Sequence, residues 1–457
     1  MIKYGILNKY KNIKGTMFSS EQLQKLIYPL IIEQILAITV GMVDTIMISY
    51  AGESAMSGVS LVDMINTLMI NIFIAISTGG AVILSQYLGS KNTKQASKTA
   101  SQLIMISTLI STTFMIIFIF GNQFILKLFF GSIEFDVMRN AKIYFFISVC
   151  SYPFIGIFDS CSAIFRSMGN SKISMEISVG MNILNGIGNA VLIFGFSMGV
   201  MGAALSTLFS RIIGTIFIFI LLNKRKNLVA ISFKEIFTWD KDIIYRILYI
   251  GIPSGIENGI FQLGRVLVVS IISTYGTAQI AANAVANGLD SMGTIAGQSM
   301  NLAMLTVIGH CMGAGKKDEA VFYTKKLWKL TYQITFAINT VILLFLPFLL
   351  RLFSLSEEVY HYSYILVLIH NGIAIFLWPT AFTMPNALRA AGDVRFCMIV
   401  SVFSMIAFRI VFSIILGSWF GLGIIGVWIA MVMDWIFRAA LFTIRLSQGR
   451  WLEYKII

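Results

Sequence analysis

Charged residues are scarce in this 457-residue sequence. Asp, Glu, Lys and Arg together make up 12% of it, whereas soluble domains contain about 25%. Hydrophobic residues account for 57%. A membrane-spanning helix needs about 20 apolar residues, so this composition allows roughly a dozen crossings. The sequence therefore predicts a polytopic membrane protein rather than a soluble one.

Cysteine and histidine are also few. The four cysteines, Cys150, Cys161, Cys311 and Cys397, lie in or beside apolar segments without the spacing of a metal site, which argues against a disulfide scaffold and against zinc. The three histidines are scattered, and His370 within a predicted span is either a titrating group or an ordinary packed or pore-lining residue. We find no catalytic constellation, and we therefore expect neither an enzyme nor a protein with a metal or organic cofactor.

One short segment resembles a phosphate-binding loop. Residues 311–316 read Cys-Met-Gly-Ala-Gly-Lys, but His310 occupies the position of the leading glycine and Lys317 replaces the Ser or Thr that holds magnesium. The sequence therefore disfavours an ATP-driven pump. Its glycines are more typical of a helix break at a turn.

Long apolar runs recur along the whole chain. They are continuous rather than alternating, which favours helices over a β-barrel. Twelve runs reach spanning length, and we expect all of them to be transmembrane helices. They lie at about residues 26–50, 55–84, 103–121, 143–165, 173–196, 201–222, 247–274, 278–309, 327–350, 362–388, 396–417 and 422–444.

Lys and Arg are concentrated in alternate connectors. Twelve crossings place both termini and every second connector on one side, which carries twenty-six of the 34 basic residues, against four on the other side. The positive-inside rule therefore predicts that both termini are cytoplasmic. It also accounts for the net charge of +13, so nucleic-acid binding is disfavoured. The first run is too long for a signal-peptide core and no cleavage site follows it, so we expect insertion without processing.

The two halves of the sequence repeat each other. A shift of 224 residues places Pro29 on Pro253, Glu33 on Glu257 and Gly52 on Gly276, whereas a shift of 223 aligns 166–183 with 389–406. The longest polar connector separates the halves. We therefore predict an N-terminal lobe at 1–222, a cytoplasmic linker at 223–246 and a C-terminal lobe at 247–457. Six is an even number of spans, so the all-α lobes should be related by a pseudo-two-fold axis along the membrane normal, with a cleft between them.

Ionisable groups inside the predicted spans are candidates for function, because each costs about 2.5 to 3.5 kcal/mol at the bilayer centre. Acids outnumber bases there by eight to four. Asp434 and Arg438 are four residues apart on one helix, and we expect them to form an ion pair. The acids are Glu33, Asp44, Asp63, Asp159, Glu176, Glu257, Asp290 and Asp434, and the bases are Arg211, Arg265, Arg409 and Arg438.

Glu33, Asp44 and Glu257 are the candidates for binding a coupling ion or a substrate. Glu33 and Asp44 are eleven residues apart, which places them on one helix face about 16 Å apart along the axis. Glu257 is the repeat partner of Glu33, and a proline precedes each glutamate by four residues and should bend its helix. Each glutamate is either functional or satisfies a kinked backbone.

Further polar residues in the spans leave alternatives open. Asn182, Asn185 and Asn189 lie on one face of the fifth span, where they either hold helices together or line a wet cavity. Asp290 and Arg265 either neutralise each other across adjacent helices or belong to a binding site.

Several short motifs, in this order, resemble the multidrug and toxic compound extrusion (MATE) transporters over essentially the whole chain. They lie at 41–45, Gly52, 166–170, 182–189, 251–253, 309–315 and 388–393. The resemblance implies a twelve-helix, two-lobed antiporter that exports bulky, often cationic drugs in exchange for protons or sodium. It also implies that Asp44 is a coupling-ion residue.

The sequence departs from that family at three positions. Asn189 stands where some members carry a second acid in the fifth helix, and Phe261 stands where others carry a seventh-helix glutamate. Glu257 lies one turn earlier, so we expect it to serve nearly the same cavity, with Phe261 in the apolar wall beside it. The tenth-helix acid is missing near Trp378 and Pro379. The coupling site therefore does not transfer whole, and sodium is expected at Asp44 or at Glu257.

The sequence as a whole predicts a monomeric antiporter for small amphipathic organic cations. Its 36 Phe and 24 Met residues offer adaptable apolar contacts for many ligand shapes. A lipid-linked oligosaccharide flippase is the rival within the superfamily, although a polyanionic substrate favours basic residues. A channel or a membrane receptor is the rival from another class, and neither requires paired lobes.

Overall fold

The computed structural model describes residues 16–131, 133–224, 227–353 and 355–457. Within these ranges the secondary structure is helical and contains no strand, which confirms the all-α prediction. Residues 1–15, together with Arg225 and Lys226, carry some of the charges predicted to be cytoplasmic and lie outside the described residues.

Twelve long helical segments follow one another in the described chain, as predicted. We number them α1 (Ser20–Ser49), α2 (Glu53–Gly89), α3 (Thr93–Phe130), α4 (Phe135–Val149 and Tyr152–Ser167), α5 (Ser171–Gly195), α6 (Gly199–Leu222), α7 (Lys241–Ser273), α8 (Thr277–Gly313), α9 (Lys317–Leu344), α10 (Glu357–Ala391), α11 (Val394–Trp419) and α12 (Gly423–Gln448). Short helices at Phe233–Ile236 and Leu346–Arg351 lie in the connectors.

Most of these helices are able to cross a bilayer. Ten are long and apolar enough singly, and α4 becomes the eleventh if its two parts, bent by 47°, form one span. The remaining helix, α8, has 37 residues but carries Asn283, Asn287 and Asp290 and is the more polar for it. The described residues therefore form a multi-pass membrane protein.

The helices reproduce the sequence repeat in their lengths and ends. Helices α2 and α8 each contain 37 residues, and both follow a glycine with positive φ, 106° at Gly52 and 107° at Gly276. Helices α1 and α7 carry Pro29 and Pro253 in their interiors. Positive φ favours glycine because no Cβ obstructs that conformation, so the two turns need the same residue.

A π-helical segment accounts for the change in repeat offset from 223 to 224. A π-bulge accommodates one extra residue in a helix, and Met405–Val411 in α11 is π-helical. The later π-helical segment of α11, Ile415–Trp419, matches Ala190–Gly195 in α5. The segment Met405–Val411 has no such counterpart in the described part of α5.

The chain divides into two compact units, and the division falls within α7. The first unit spans Ser20–Gly255, and the second spans Ile256–Ile457 and includes residues 16–19. The first has a core of buried aromatic side chains that includes Phe73, Phe145 and Tyr152. The core of the second includes Trp428 and Leu366.

Small residues bring helices together within the first unit. A Cβ on Gly79 of α2 would lie 2.4 Å from the carbonyl oxygen of Ile247, and one on Gly251 would lie 3.2 Å from the Cα of Ile76. Helices α2 and α7 therefore approach through their glycines, which is a common way of packing membrane helices.

Candidate functional site

Asp44 of α1 is held by two asparagines from α5. The Nδ2 atom of Asn189 donates to Asp44 Oδ1 at 2.8 Å. The Asn185 amide satisfies its neighbours when its nitrogen donates to Asp44 Oδ1 at 2.8 Å and to Oδ2 at 3.2 Å, while its oxygen accepts from Thr207 Oγ1 at 3.0 Å. Asn185 and Asn189 are one helical turn apart and therefore share a face. The structure thus joins three predicted site residues and adds Thr207 of α6.

Two further charged residues of the first unit act on Asp44. The charges of Asp63 in α2 and Arg211 in α6 are close enough to interact with its carboxylate. Arg211 Nη1 donates to Ser151 Oγ at 2.7 Å, and Asp63 Oδ1 accepts from Asn66 at 3.3 Å. Asp63 is exposed in the described structure. A carboxylate on a membrane-spanning helix needs water or a partner, and Asn66 provides a partner for Asp63.

Asn182 is half-buried and lies one turn earlier on α5. It does not belong to the hydrogen-bonded set around Asp44. Of the three predicted asparagines, Asn185 and Asn189 hold α5 to the α1 carboxylate, so they link helices and orient a charged group at once.

Glu33 forms a separate polar group near the other end of α1. Its Oε1 atom accepts from Ser174 at 3.4 Å and from Ser178 at 3.3 Å. Its Oε2 atom is buried and has no partner among the described residues. The charge of Glu33 also acts on Asp159 in α4. Glu33 and Asp44 therefore occupy different surroundings on one helix.

Glu257 in the second unit has a basic partner instead. Arg389 Nη2 donates to Glu257 Oε1 at 2.6 Å, and the two side chains are 14% and 11% exposed. Arg389 also donates to Asn386 Oδ1 at 2.7 Å. The repeat partners Glu33 and Glu257 therefore differ, because only the second is neutralised by an ion pair.

Asp290 of α8 contacts a histidine of α10. His370 Nδ1 lies 2.8 Å from Asp290 Oδ1. The imidazole is 1% exposed, and its Nε2 atom has no partner among the described residues. Trp428 and Trp435 pack against the ring, with centroids 4.7 and 4.2 Å away. The structure therefore pairs Asp290 with His370. Arg265, the other partner considered from the sequence, is exposed.

Phe261 of α7 lies beneath two arginines. The guanidinium carbons of Arg409 and Arg438 are 5.1 and 5.8 Å from its ring centroid, within the range of cation–π attraction. Phe382 packs edge-on at 6.4 Å. Arg438 pairs with Asp434 at 2.8 Å, which confirms that predicted pair. The surroundings of Phe261 are thus aromatic and positively charged.

Sequence reasoning missed the partners that lie far along the chain. The missed residues are Thr207 at the Asp44 site, Arg389 at Glu257 and His370 at Asp290. They are up to 163 residues from these acids in the sequence, so no spacing rule connects them. The repeat offered one signal for Arg389, because 166–169 aligns with 389–392 at the predicted cytoplasmic turns.

The described residues thus form twelve long helices in two sequence repeats, with carboxylates and amides inside the helices of a multi-pass membrane protein. The chain belongs to the MatE family, whose model matches residues 29–191 and 253–415. Both matched segments follow the 224-residue repeat. The family match confirms the resemblance to the MATE transporters that the sequence motifs indicated.

Known relatives share this organisation over their full length. The chain is 29% identical to the uncharacterized transporter YisQ of Bacillus subtilis, covering 96% of this chain and 99% of YisQ. It is 26% identical to the probable multidrug resistance protein NorM of Thermotoga maritima, covering 100% and 98%. A MOP-superfamily transporter from Pyrococcus furiosus, described as having a binding pocket of reverse polarity, superposes with a TM-score of 0.88 at 20% identity, covering 95% and 97%.

Proposed function

We propose that this protein is a secondary active antiporter that exports amphipathic, often cationic organic compounds in exchange for H⁺ or Na⁺ by alternating access. The observation that carries the proposal is the carboxylate of Asp44. It lies inside a membrane-spanning helix and is oriented by Asn185 and Asn189.

Competition for one negative charge provides the coupling. A proton or a sodium ion neutralises the Asp44 carboxylate, and so does the positive group of a drug. Binding of one therefore weakens binding of the other, and the effect is reciprocal because it is a coupling free energy. The carboxylate oxygens of Asp44 are hard donors that suit either ion, and the amide nitrogens of Asn185 and Asn189 hold them in place.

The charge balance of the first unit supports a cationic substrate. Its spans contain five acids and a single arginine, Arg211; the acids are Glu33, Asp44, Asp63, Asp159 and Glu176. The name of the Thermotoga relative, a probable multidrug resistance protein, is in line with export of drugs. We further propose that the protein acts as a monomer in a bacterial inner membrane with both termini in the cytoplasm, because basic residues are concentrated in alternate connectors.

Transport in proteoliposomes tests the proposal. Purified protein would be reconstituted with ethidium as a fluorescent cationic substrate, first under an imposed pH gradient and then under an imposed sodium gradient. We expect saturable ethidium transport that is driven by at least one of these gradients. Collapse of that gradient by an ionophore should stop the transport. Asp136→Asn, which removes an exposed carboxylate at the start of α4, is the matched control and should transport normally.

The same assay separates the rival functions. A channel would give ethidium flux that does not saturate and does not depend on an opposing ion gradient. A lipid-linked oligosaccharide flippase would leave ethidium in place under both gradients while moving a labelled lipid-linked sugar between leaflets. Either result would overturn the proposed antiport.

A further inference from the structure

Arg409 of α11 is a buried charge with incomplete pairing. The residue is 6% exposed, and its Nη1 atom makes no hydrogen bond with any of the described residues. A buried guanidinium without partners is costly, since neither water nor a protein acceptor replaces its hydration. Such a group persists where something else completes its surroundings.

The carboxylate paired with Arg409 is shared with a second arginine. Asp434 Oδ1 is engaged by Arg438 at 2.8 Å and by the Ser404 hydroxyl. Its Oδ2 atom lies 3.9 Å from Arg409 Nη1, beyond hydrogen-bond distance. One carboxylate therefore faces two buried guanidinium groups, and a positive charge is left over.

Charges on the neighbouring helices do not remove that excess. Arg265 of α7 and Asp290 of α8 both act on Arg409, and their charges cancel. The Asp290 carboxylate is already engaged by His370 of α10. The cluster of three arginines and two aspartates therefore carries a net positive charge.

The backbone around Arg409 is π-helical, and the described part of α5 in the first unit has no counterpart of this segment. Arg409 lies on the π-helical segment Met405–Val411, which is the one-residue insertion relative to the first repeat. Segments of this kind occur frequently at functional sites. At the 224-residue offset Arg409 corresponds to Asn185, which contacts Asp44 in the first unit. The insertion thus places a cation at the repeat position of an amide that binds a carboxylate.

The surroundings also indicate the kind of anion. Guanidinium groups bind carboxylates through paired hydrogen bonds, with a geometry that favours planar two-oxygen groups over a spherical ion. The ring of Phe261 lies 5.1 Å from the guanidinium carbon of Arg409, and Phe382 continues the aromatic surface. Aromatic rings pack against one another in offset or edge-on arrangements.

We propose that Arg409 is the centre of an anion site in the second unit, which binds the carboxylate of an aromatic organic acid while Phe261 and Phe382 contact its ring. This site lies outside the proposed antiport of cations. Its binding chemistry stands whether or not the protein exports drugs, so the two proposals fail separately.

Equilibrium binding tests the site without any transport step. Radiolabelled benzoate would be titrated onto the purified full-length protein in detergent by scintillation proximity, with unlabelled benzoate as competitor. We expect saturable binding to the wild type and at least a tenfold loss of affinity in Arg409→Gln. The loss should be smaller in Arg409→Lys, because lysine keeps the positive charge but lacks the paired N–H donors of a guanidinium. Arg445→Lys is the matched control, because Arg445 lies in the same unit and is already held by both oxygens of Asp393.

Thermal unfolding and size-exclusion profiles would establish that each variant is folded. Normal benzoate binding by a folded Arg409→Gln protein, or no saturable binding by the wild type, would overturn the proposal. If the wild type bound ³⁶Cl⁻ saturably but did not bind benzoate, the assignment to a carboxylate would be overturned. If Arg445→Lys and Arg409→Lys lost equal affinity for benzoate, the assignment to Arg409 would be overturned.

Discussion

The two units of this transporter differ in the charge balance of helices that otherwise repeat each other. In the spans of the first unit five acids accompany one arginine, Arg211; the acids are Glu33, Asp44, Asp63, Asp159 and Glu176. The spans of the second unit contain as many arginines as acids: Arg265, Arg409 and Arg438 accompany Glu257, Asp290 and Asp434. Arg389 then neutralises Glu257. The repeated backbone is therefore preserved while the charge balance of its polar interior has diverged.

The two units differ in sequence at the positions of the candidate site residues. At the 224-residue offset, Val268 stands opposite Asp44, Arg409 opposite Asn185 and Ser413 opposite Asn189. Only Glu33 and Glu257 keep their identity, and they have different partners, two serines in one unit and an arginine in the other. From this comparison we propose that cation coupling belongs to the first unit, and the predictions below are designed to break that proposal or to sharpen it.

The largest effect is expected from Asp44→Asn. The variant keeps the size of the side chain but removes the charge for which ion and drug compete, so we expect coupled export to be abolished. The measurement is ethidium efflux from cells at matched protein level in the membrane. Efflux at the wild-type rate would transfer the coupling role to another acid, such as Glu257.

Glu257→Gln and Glu33→Gln should differ in their effect on stability. Removal of one partner from a buried ion pair leaves the other charge unpaired, so we expect Glu257→Gln to destabilise the protein by about 3 kcal/mol because Arg389 loses its partner. Glu33→Gln keeps an acceptor for Ser174 and Ser178 and should change stability by less than about 1 kcal/mol.

Thermal unfolding in detergent, with wild type alongside, measures both variants. The double variant Glu257→Gln with Arg389→Met should regain part of the lost stability. Equal destabilisation by the two single variants would show that the different partners of Glu33 and Glu257 do not determine how much each glutamate stabilises the protein. Because the sequence makes Glu257 a candidate for binding, we also expect Glu257→Gln to weaken drug or ion binding severalfold, and the same protein preparation is suitable for measuring it.

The smallest effect concerns an ion pair outside the candidate sites. Lys98 forms a salt bridge with Asp240 at the entrance to α7, and its ammonium holds the pKa of Asp240 below the usual range. The lowered pKa means that the pair stabilises the fold at neutral pH, and that this contribution is lost as pH falls through the pKa of Asp240 in the folded protein. Because both side chains are partly exposed, we expect Asp240→Asn to cost only about 0.5 kcal/mol.

Unfolding of Asp240→Asn and wild type across pH checks this sign. The difference between the two proteins should be present at neutral pH and should vanish in acid. A difference that grows as pH falls would contradict the account of this pair.

The sequence was sufficient to predict the helices and the repeat, but not the partners inside the spans. Continuous apolar runs gave all twelve helices because helix length in lipid is set by the bilayer. The polar stripe Asn185–Asn189 predicted either contacts between helices or a wet face, and its contact with Asp44 depends on how α1 packs against α5. His370 and Asp290 are 80 residues apart, and no local pattern encodes that contact. The π-helical insertion at Met405–Val411 was visible only as a one-residue change of offset.

Binding of ethidium to the purified protein across pH and sodium concentration tests the assignment of coupling to the first unit most directly. We predict that the affinity of the wild type falls as either pH decreases or sodium increases, since a bound cation neutralises Asp44. Glu257→Gln should keep this ion dependence, and Asp44→Asn should bind ethidium with an affinity that neither ion changes. An Asp44→Asn protein that retains the ion dependence of the wild type would contradict the account.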